Sequence, residues 1–259
     1  MAQIGIIGTG SMGGMLVRSF VGSGAVRPDA IVASNRTAAK RRALAAETGI
    51  RCGRDNREVA GGADVVFLCV RPSEVRGVLC ELRDELSPEK VLVSIAAGVL
   101  LEDLQAWTEA RVVRVIPALT SEVLKGASLV AFGERATEED RETVLALLNA
   151  IGRAVEVEER DIEALTLLTS CGPAFVAALM EEMAAAAVRQ GGVRPDLAKL
   201  LVKETLMGTA GLIEESDFGR LIARVATPGG VTEKGVAVIR ERGPGMFDGM
   251  MRAALGKKE

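Results

Sequence analysis

The chain contains 259 residues, of which 48% are hydrophobic and 26% are charged, and its formal net charge is −3. These values are typical of an ordinary globular protein with enough sequence for one large or two ordinary domains. The weakly negative charge, and the lack of a stretch that combines basic with aromatic residues, argue against a nucleic-acid surface. We therefore expect no nucleic-acid partner.

Several reaction classes are excluded by the residues that the chain lacks. It has no histidine and no tyrosine. Dehydrogenases that depend on a histidine acid, and reductases that depend on a Tyr–Lys pair, are therefore excluded, and any proton donor must be another side chain or water. The four cysteines form no C-x-x-C pair and no histidine could complete a zinc site. We expect no bound metal and reduced thiols, as in a cytoplasmic protein.

The apolar segments do not predict a membrane partner. The N-terminal apolar run is too short for a signal peptide and leads directly into a glycine-rich turn. The most apolar stretch, Leu165 to Met180, is interrupted by Gly172-Pro173 and flanked by acidic residues. We therefore expect a core helix there rather than a membrane span.

The first predicted strand leads into a glycine motif. Residues 3–7 (QIGII) predict a buried strand, and residues 8–13 (GTGSMG) form a complete G-x-G-x-x-G before a helical pattern. In this motif Gly8 permits a tight turn, Gly10 leaves room for a pyrophosphate, and Gly13 lets the helix pack closely on the strand. The free N–H groups at the helix start would bind the pyrophosphate. We predict a dinucleotide site with contacts from Gly8, Thr9, Gly10, Ser11, Met12 and Gly13.

The end of the second strand predicts which dinucleotide binds. Residues 30–34 (AIVAS) form this predicted strand. A fold that prefers NAD places Asp or Glu at its end to hold the ribose 2′-OH. This chain has Ser34, Asn35 and Arg36 there instead, and a cation with small polar neighbours suits a 2′-phosphate. We expect NADP, with NADPH preferred over NADH.

Strands and helices alternate up to about residue 158. Further strands are predicted at residues 64–70, 91–95, 111–116, 127–131 and 154–157. Continuous apolar runs of this kind are typical of parallel strands buried on both faces. The alternation predicts an α/β fold, a Rossmann-type doubly wound sheet with helices on both faces, over residues 1–158.

The chain changes character after residue 158. Helical patterns cover residues 161–190, 195–215, 218–225, 231–240 and 246–255, and no strand pattern remains. These helices carry more apolar surface than a single layer can bury, and the alanines at 184–187 permit close helix contact. We predict an all-helical domain over residues 159–259 that forms a homodimer.

Two segments of the helical half combine glycine and proline with hydroxyl or thiol groups. Residues 170–173 (SCGP) interrupt an apolar helix, and residues 227–232 (TPGGVT) join two helices. Such segments can present backbone N–H groups and side-chain donors to an anion. A kinked core helix and a simple interhelical turn are the alternative interpretations.

The order and spacing of these motifs resemble the pyrroline-5-carboxylate reductase family over essentially the whole chain. The matching segments are IGTGSMG, SNRT, ADVVFLCVRP, SIAAGV, RVIP, the T-x-x-x-S-C-G-P-A-F segment that begins at Thr166, and ATPGGVT. Members of that family reduce 1-pyrroline-5-carboxylate to proline with NAD(P)H. The resemblance therefore implies this reaction, a small imino-acid substrate and a homodimer with a nucleotide domain and a helical domain. Larger rings of dimers also occur in the family.

The resemblance also implies roles for individual residues. It extends the cofactor contacts to Asn56, Val70, Arg71, Pro72, Ala96 and Ala97. It places around the substrate Cys171, Gly172, Pro173, Thr227, Gly229, Gly230 and Thr232. The N–H groups of Gly229 and Gly230 would bind the substrate carboxylate, and Thr232 would act as the catalytic residue by a hydrogen bond to the ring nitrogen.

Imine reduction suits a chain without histidine or tyrosine. An imine can arrive already protonated from water, so the protein needs no strong acid to prepare it for hydride transfer. The main tasks of the protein are then to position the reactants and to exclude water. The residue content is therefore easier to understand for a C=N substrate than for a C=O substrate.

The substrate half departs from the family pattern. Residues 117–120 (PALT) stand where members read P-N-T-P or T-N-T-P, Cys171 replaces a serine, and Ala185 stands where an acidic residue is common. The alternatives are a paralogue that reduces another imine or a deazaflavin cofactor, and a nucleotide-binding regulatory protein with little turnover. A β-hydroxyacid dehydrogenase fits less well, because the helix with Lys199 and Lys203 has no asparagine.

Overall fold

The computed structural model describes residues 2–256. These residues divide into two compact units, with the division between Ser170 and Cys171. The first unit is a sheet covered by helices, and the second contains helices. A Rossmann-type domain followed by a helical domain is therefore confirmed.

Within residues 2–170, the first unit contains one sheet of eight strands. Its strands are β1 (Ile4–Ile7), β2 (Ile31–Ser34), β3 (Arg51–Cys52), β4 (Val65–Leu68), β5 (Val91–Ser94), β6 (Arg111–Ile116), β7 (Gly126–Phe132) and β8 (Gly152–Glu156). Their order across the sheet is β3-β2-β1-β4-β5-β6-β7-β8. Neighbouring strands are parallel except β6 and β7, which pair antiparallel. The strand order changes direction at β1, which β2 and β4 flank.

Helices cover both faces of this sheet. They are α1 (Ser11–Gly22), α2 (Ala38–Thr48), α3 (Asn56–Gly61), α4 (Pro72–Glu81), α5 (Leu101–Trp107), α6 (Glu138–Asn149) and α7 (Ile162–Thr169). One core cluster joins Phe20 of α1 and Val144 of α6 to the strands. The other cluster joins Leu79 of α4 and Leu104 of α5 to the opposite face. Because both faces are covered, the central strands β1, β4 and β5 are buried along their whole length, as the sequence predicted.

The second unit contains α8 (Gly172–Gly191), α9 (Pro195–Glu214), α10 (Phe218–Val225) and α11 (Val231–Ala254). The prediction of one helix over 161–190 was wrong, because α7 ends at Thr169 and Pro173 stands in the first turn of α8. Proline is tolerated in a first turn, where a backbone N–H has no helical partner. The prediction of two helices at 231–240 and 246–255 was also wrong. One helix continues through Pro244, which removes a single backbone donor.

The helices of the second unit expose much apolar surface. Ala184 and Ala198 are the buried hydrophobic residues of this unit within the described chain, whereas Met207, Phe218 and Ile239 are largely exposed. Residues 159–191 are, by length and composition alone, long and apolar enough to cross a membrane. An exposed apolar helix face is also what a protein–protein interface requires.

Candidate functional site

The glycine motif forms the turn between β1 and α1, and its three glycines meet different demands. Gly8 has a φ of +96°, and an added Cβ would lie 2.5 Å from the carbonyl oxygen of Cys69. A Cβ on Gly13 would lie 2.0 Å from the carbonyl oxygen of Gly8. A Cβ on Gly10 would meet nothing within 4 Å. The fold therefore requires Gly8 and Gly13, while Gly10 faces open space that a ligand can enter.

The start of α1 is suited to an anion. Its N-cap is Gly10, and within the described chain no side chain caps this end or places a carboxylate in its first turn. The first N–H groups of a helix lack helical partners and carry a partial positive charge. The turn therefore offers backbone donors beside the open space at Gly10, which is the arrangement that a pyrophosphate uses.

A hydrogen-bond network joins the glycine turn to the end of β2. The N–H of Gly8 donates to the Ser34 carbonyl (3.0 Å), and Asn35 Nδ2 donates to Thr9 Oγ1 (2.9 Å). Ser34 Oγ donates to Asn56 Oδ1 (2.7 Å) at the start of α3. Thr9 and Ser34 are both buried. Their side chains therefore hold the turn and the neighbouring strand end in register.

A cavity of about 470 Å³ lies at the carboxyl ends of β1, β2 and β4. Open α/β sheets bind ligands at this edge, where the strand order reverses. Seven predicted cofactor residues line it: Gly8, Gly10, Asn35, Arg36, Asn56, Val70 and Arg71. The lining also includes residues that the sequence reasoning missed, among them Thr37, Lys40, Cys69, Glu74, Val78 and Glu81.

The charged groups of the cavity are partly paired with one another. Arg36 Nη2 lies 2.9 Å from Glu74 Oε1, and the N–H of Arg71 donates to Glu74 Oε2 (3.2 Å). Asn56 Nδ2 donates to Glu81 Oε2 (3.2 Å). Lys40 lies in the first turn of α2 and lines the same cavity as Arg36. Cations and carboxylates thus share the end of the cavity beside β2.

The other predicted cofactor residues take different places. Thr9 and Ser11 line a smaller depression beside the glycine turn, and Met12 packs against a core cluster. Pro72 is the first residue of α4. Ala96 is buried after β5, whereas Ala97 is exposed. None of these residues, nor Gly13 or Ser34, is among those that line the main cavity.

Cys69 is a cavity residue without nucleophilic character. Burial raises the pKa of its thiol to about 12. Because the thiolate is the reactive form, this cysteine stays protonated and inert at neutral pH. The cavity can therefore bind and orient a dinucleotide, and it contains no activated cysteine.

The predicted substrate residues of the second unit lie at two helix starts. Gly172 and Pro173 open α8, with Cys171 as its N-cap. Thr227 and Gly229 lie in the turn before α11, and Gly230 is its N-cap. Thr232 lies in the first turn of α11 and is half-buried.

The turn before α11 already engages both of its glycine N–H groups. Gly229 has a φ of +76°, and its N–H donates to Glu233 Oε2 (2.7 Å). The N–H of Gly230 donates to the Thr227 carbonyl (2.9 Å). The turn thus holds a carboxylate from its own helix at Gly229, while the donor of Gly230 closes the turn.

Comparisons with known proteins match both halves of the chain. The family model for pyrroline-5-carboxylate reductase dimerisation matches residues 159–259. The model described as NADP oxidoreductase, coenzyme F420-dependent, matches residues 3–98. The second match supports a nicotinamide cofactor in the first unit, and the first supports homodimer formation through the exposed apolar helices.

Relatives match over nearly the whole length. The pyrroline-5-carboxylate reductase of Methanosarcina acetivorans is 36% identical, over 99% of this chain and 97% of that protein. ComE operon protein 4 of Bacillus subtilis is 31% identical, over 95% of this chain and 91% of that protein.

Solved structures share the fold. A pyrroline-5-carboxylate reductase from Coxiella burnetii has a TM-score of 0.92 at 29% identity and covers 99% of this chain and 97% of its own. A Plasmodium falciparum pyrroline carboxylate reductase with NADP bound has a TM-score of 0.82 at 24% identity, with 98% and 94% covered. The glycine turn, the cavity and these full-length matches agree: the chain belongs to the pyrroline-5-carboxylate reductase family and is an oxidoreductase of that family.

Proposed function

We propose that this protein catalyses the NADPH-dependent reduction of 1-pyrroline-5-carboxylate to proline. The observation that carries the proposal is the cavity beside the open face of Gly10, which has Arg36 and Lys40 at its β2 end. The full-length relatives that are named pyrroline-5-carboxylate reductases support the choice of substrate.

The preference for NADPH over NADH rests on the charges beside β2. Asp or Glu would favour a free ribose 2′-OH at the strand end, and this chain has Asn35 and Arg36 there. Arg36 and Lys40 supply positive charge for a 2′-phosphate. The NADP-bound structure of the Plasmodium falciparum protein is consistent with this choice for the family.

The protein's part in the reaction is to bind, orient and exclude water. A nicotinamide bound there would supply a hydride to the imine carbon. The proton on the imine nitrogen would come from solvent, so the protein needs no strong acid to form the product amine. We propose that Thr232 Oγ1 hydrogen-bonds the ring nitrogen. We propose also that the substrate carboxylate takes the Gly229 N–H that Glu233 holds in this structure. Positioning of this kind contributes several powers of ten in rate.

The organisation of the chain is part of the proposal. We place the functional boundary between residues 158 and 159, twelve residues before the division into compact units that follows Ser170. We propose a cytoplasmic homodimer whose exposed apolar helices are covered by the second copy, and a ring of dimers as a larger assembly. Light scattering at micromolar concentration tests both, and a strictly monomeric species contradicts both.

A second candidate function has specific support. The family model that matches residues 3–98 is described as coenzyme F420-dependent, and the name of the relative ComE operon protein 4 states no reductase activity. A paralogue that reduces another imine or a deazaflavin, or that binds nucleotide for regulation, would keep the cavity and change the substrate residues. The departure at residues 117–120 is where such a change would act.

The proposal is tested by NADPH oxidation with the five-membered imino acid and its six-membered homologue in parallel. Rapid turnover of 1-pyrroline-5-carboxylate supports the proposal and makes residues 117–120 a tolerated variant. Turnover of the six-membered imine alone assigns a different substrate. NADPH binding without turnover of either imine supports the second candidate.

A further inference from the structure

Arg36, the residue that would recognise a 2′-phosphate, is held by a carboxylate of the same cavity. Its Nη2 lies 2.9 Å from Glu74 Oε1. The Arg36 side chain is 82% exposed and makes no second ion pair within residues 2–256. The guanidinium therefore points to Glu74.

Glu74 is itself held firmly. Its second carboxylate oxygen accepts the N–H of Arg71 at the start of α4, and the backbone N–H of Glu74 donates to the Arg71 carbonyl (2.9 Å). A carboxylate three residues into a helix that accepts from the N-cap N–H is half of a capping box. Glu74 thus has a fixed place at the cavity wall, whereas Arg36 is a long exposed side chain that can change partners.

A phosphate that binds at Arg36 must either displace Glu74 or lie beside it. In both cases the carboxylate opposes the phosphate, because it competes for the same guanidinium and carries the same sign of charge. NADH has a hydroxyl in place of the phosphate and does not meet this competition. Glu74 therefore weakens the binding of NADPH and not that of NADH.

We propose that Glu74 is a specificity-determining residue that weakens the discrimination between NADPH and NADH by competing with the 2′-phosphate for Arg36. This inference rests on the proposed use of NADPH and adds a carboxylate that opposes it. Lys40 completes the arrangement. It lines the same cavity, and no ion pair within 4 Å is present for it in the described chain, so it remains available to the phosphate while Arg36 is shared.

The test compares Glu74→Gln with the unchanged protein by titration of NADPH and NADH at low and high salt. Glutamine at this position can still accept the Arg71 N–H, so the start of α4 is preserved. We expect NADPH to bind about fivefold more tightly and NADH to change less than about twofold, because only one interaction with a charge at the ribose is removed. The gain should shrink at high salt, since exposed charges are screened.

Two further variants separate this mechanism from general electrostatics. Glu81→Gln removes the same charge from the same helix and cavity, but Glu81 contacts Asn56 rather than a cation. We therefore expect the ratio of NADPH affinity to NADH affinity to change less than with Glu74→Gln. In an Arg36→Ala background, the gain in NADPH affinity from Glu74→Gln should fall by at least half. An equal gain in that background overturns the inference, because Glu74 would then act without Arg36.

The remaining outcomes are distinct. If the ratio of NADPH affinity to NADH affinity is unchanged or smaller in Glu74→Gln, the inference is overturned. Glu74 would then have no effect on the discrimination between the dinucleotides, or would orient Arg36 for the phosphate. That result leaves the proposed function intact as long as the unchanged protein binds NADPH. An unchanged protein that binds neither dinucleotide contradicts the proposed function itself.

Discussion

The guanidinium of Arg114 lies 2.8 Å from the carboxylate of Glu159, and this ion pair joins the middle of the sheet to the first residue of the dimerisation segment. Arg114 is on β6 and its side chain is only 2% exposed, whereas that of Glu159 is 26% exposed. The same Glu159 oxygen accepts the N–H of Leu101 at the start of α5 (2.7 Å). One carboxylate therefore neutralises a buried cation and ties two segments together.

The two partners should differ in their effect on stability. Glu159→Ala leaves a buried guanidinium without a counter-ion, and we expect it to cost about 3–5 kcal/mol in the free energy of unfolding. Arg114→Met leaves a carboxylate that water can reach and that keeps the Leu101 N–H, so we expect a smaller loss. Urea unfolding at one fixed protein concentration measures both, since dimerisation couples stability to concentration. Equal losses, or the reverse order, would contradict this account of the pair.

The glycine turn gives a matched pair of substitutions. Gly13→Ala places a Cβ 2.0 Å from the Gly8 carbonyl oxygen, so we expect loss of both stability and cofactor binding. Gly10→Ala meets no protein atom within 4 Å and has an ordinary backbone conformation, so the melting temperature should stay nearly unchanged. Its methyl group would occupy the space of the pyrophosphate, and we expect NADPH to bind more than about tenfold more weakly. A Gly10→Ala protein with unchanged NADPH affinity would show that the dinucleotide lies elsewhere.

Much of the fold could be predicted because buried parallel strands have continuous apolar runs. The run at β4 is an example, and the strands predicted at 64–70 and 111–116 are present with shifts of a few residues or none. The two-residue strand β3 was missed because both of its residues are exposed and leave no apolar signal. The antiparallel direction of β7 was not predicted either, since an apolar run does not encode strand direction.

Charge reversal at Arg36 tests the cofactor assignment. Arg36→Asp should weaken NADPH by about 10–100-fold, because it replaces a charge-assisted hydrogen bond with a repulsive carboxylate, and should affect NADH far less. Arg42→Asp is the control, since it makes the same charge change on the neighbouring helix α2, outside the lining of the cavity. Titration of each dinucleotide by fluorescence measures the four affinities. An equal loss for both dinucleotides would remove the assignment of Arg36 to the 2′-phosphate.

The sequence predicted the glycines and Arg36 because they belong to a motif with a known physical purpose. Lys40, Glu74 and Glu81 belong to no motif and were missed, although Lys40 stands only four residues after Arg36 and Glu74 stands three residues after an N-cap. The pairing of Glu233 with Gly229 was equally hidden. Such contacts depend on how side chains meet in the fold, which residue spacing alone does not determine.

The hydroxyl of Thr232 gives the test for the substrate half. Thr232→Ala should lower turnover about 10–100-fold, because a hydrogen bond to the charged imine is lost, while NADPH affinity stays the same. Thr232→Ser keeps the hydroxyl and should recover most of the activity. Steady-state rates and NADPH titrations on the same preparations measure both effects. Full activity in the alanine variant would mean that Thr232 has no part in the reaction.

The most direct test of the reductase assignment follows the hydride itself. NADPH with both C4 hydrogens of the nicotinamide replaced by deuterium is incubated with the protein and 1-pyrroline-5-carboxylate, and the product is analysed by mass spectrometry. We predict proline with one deuterium at the former imine carbon and an equal amount of oxidised cofactor. Cofactor that remains bound and reduced, with no deuterated proline, would contradict the assignment.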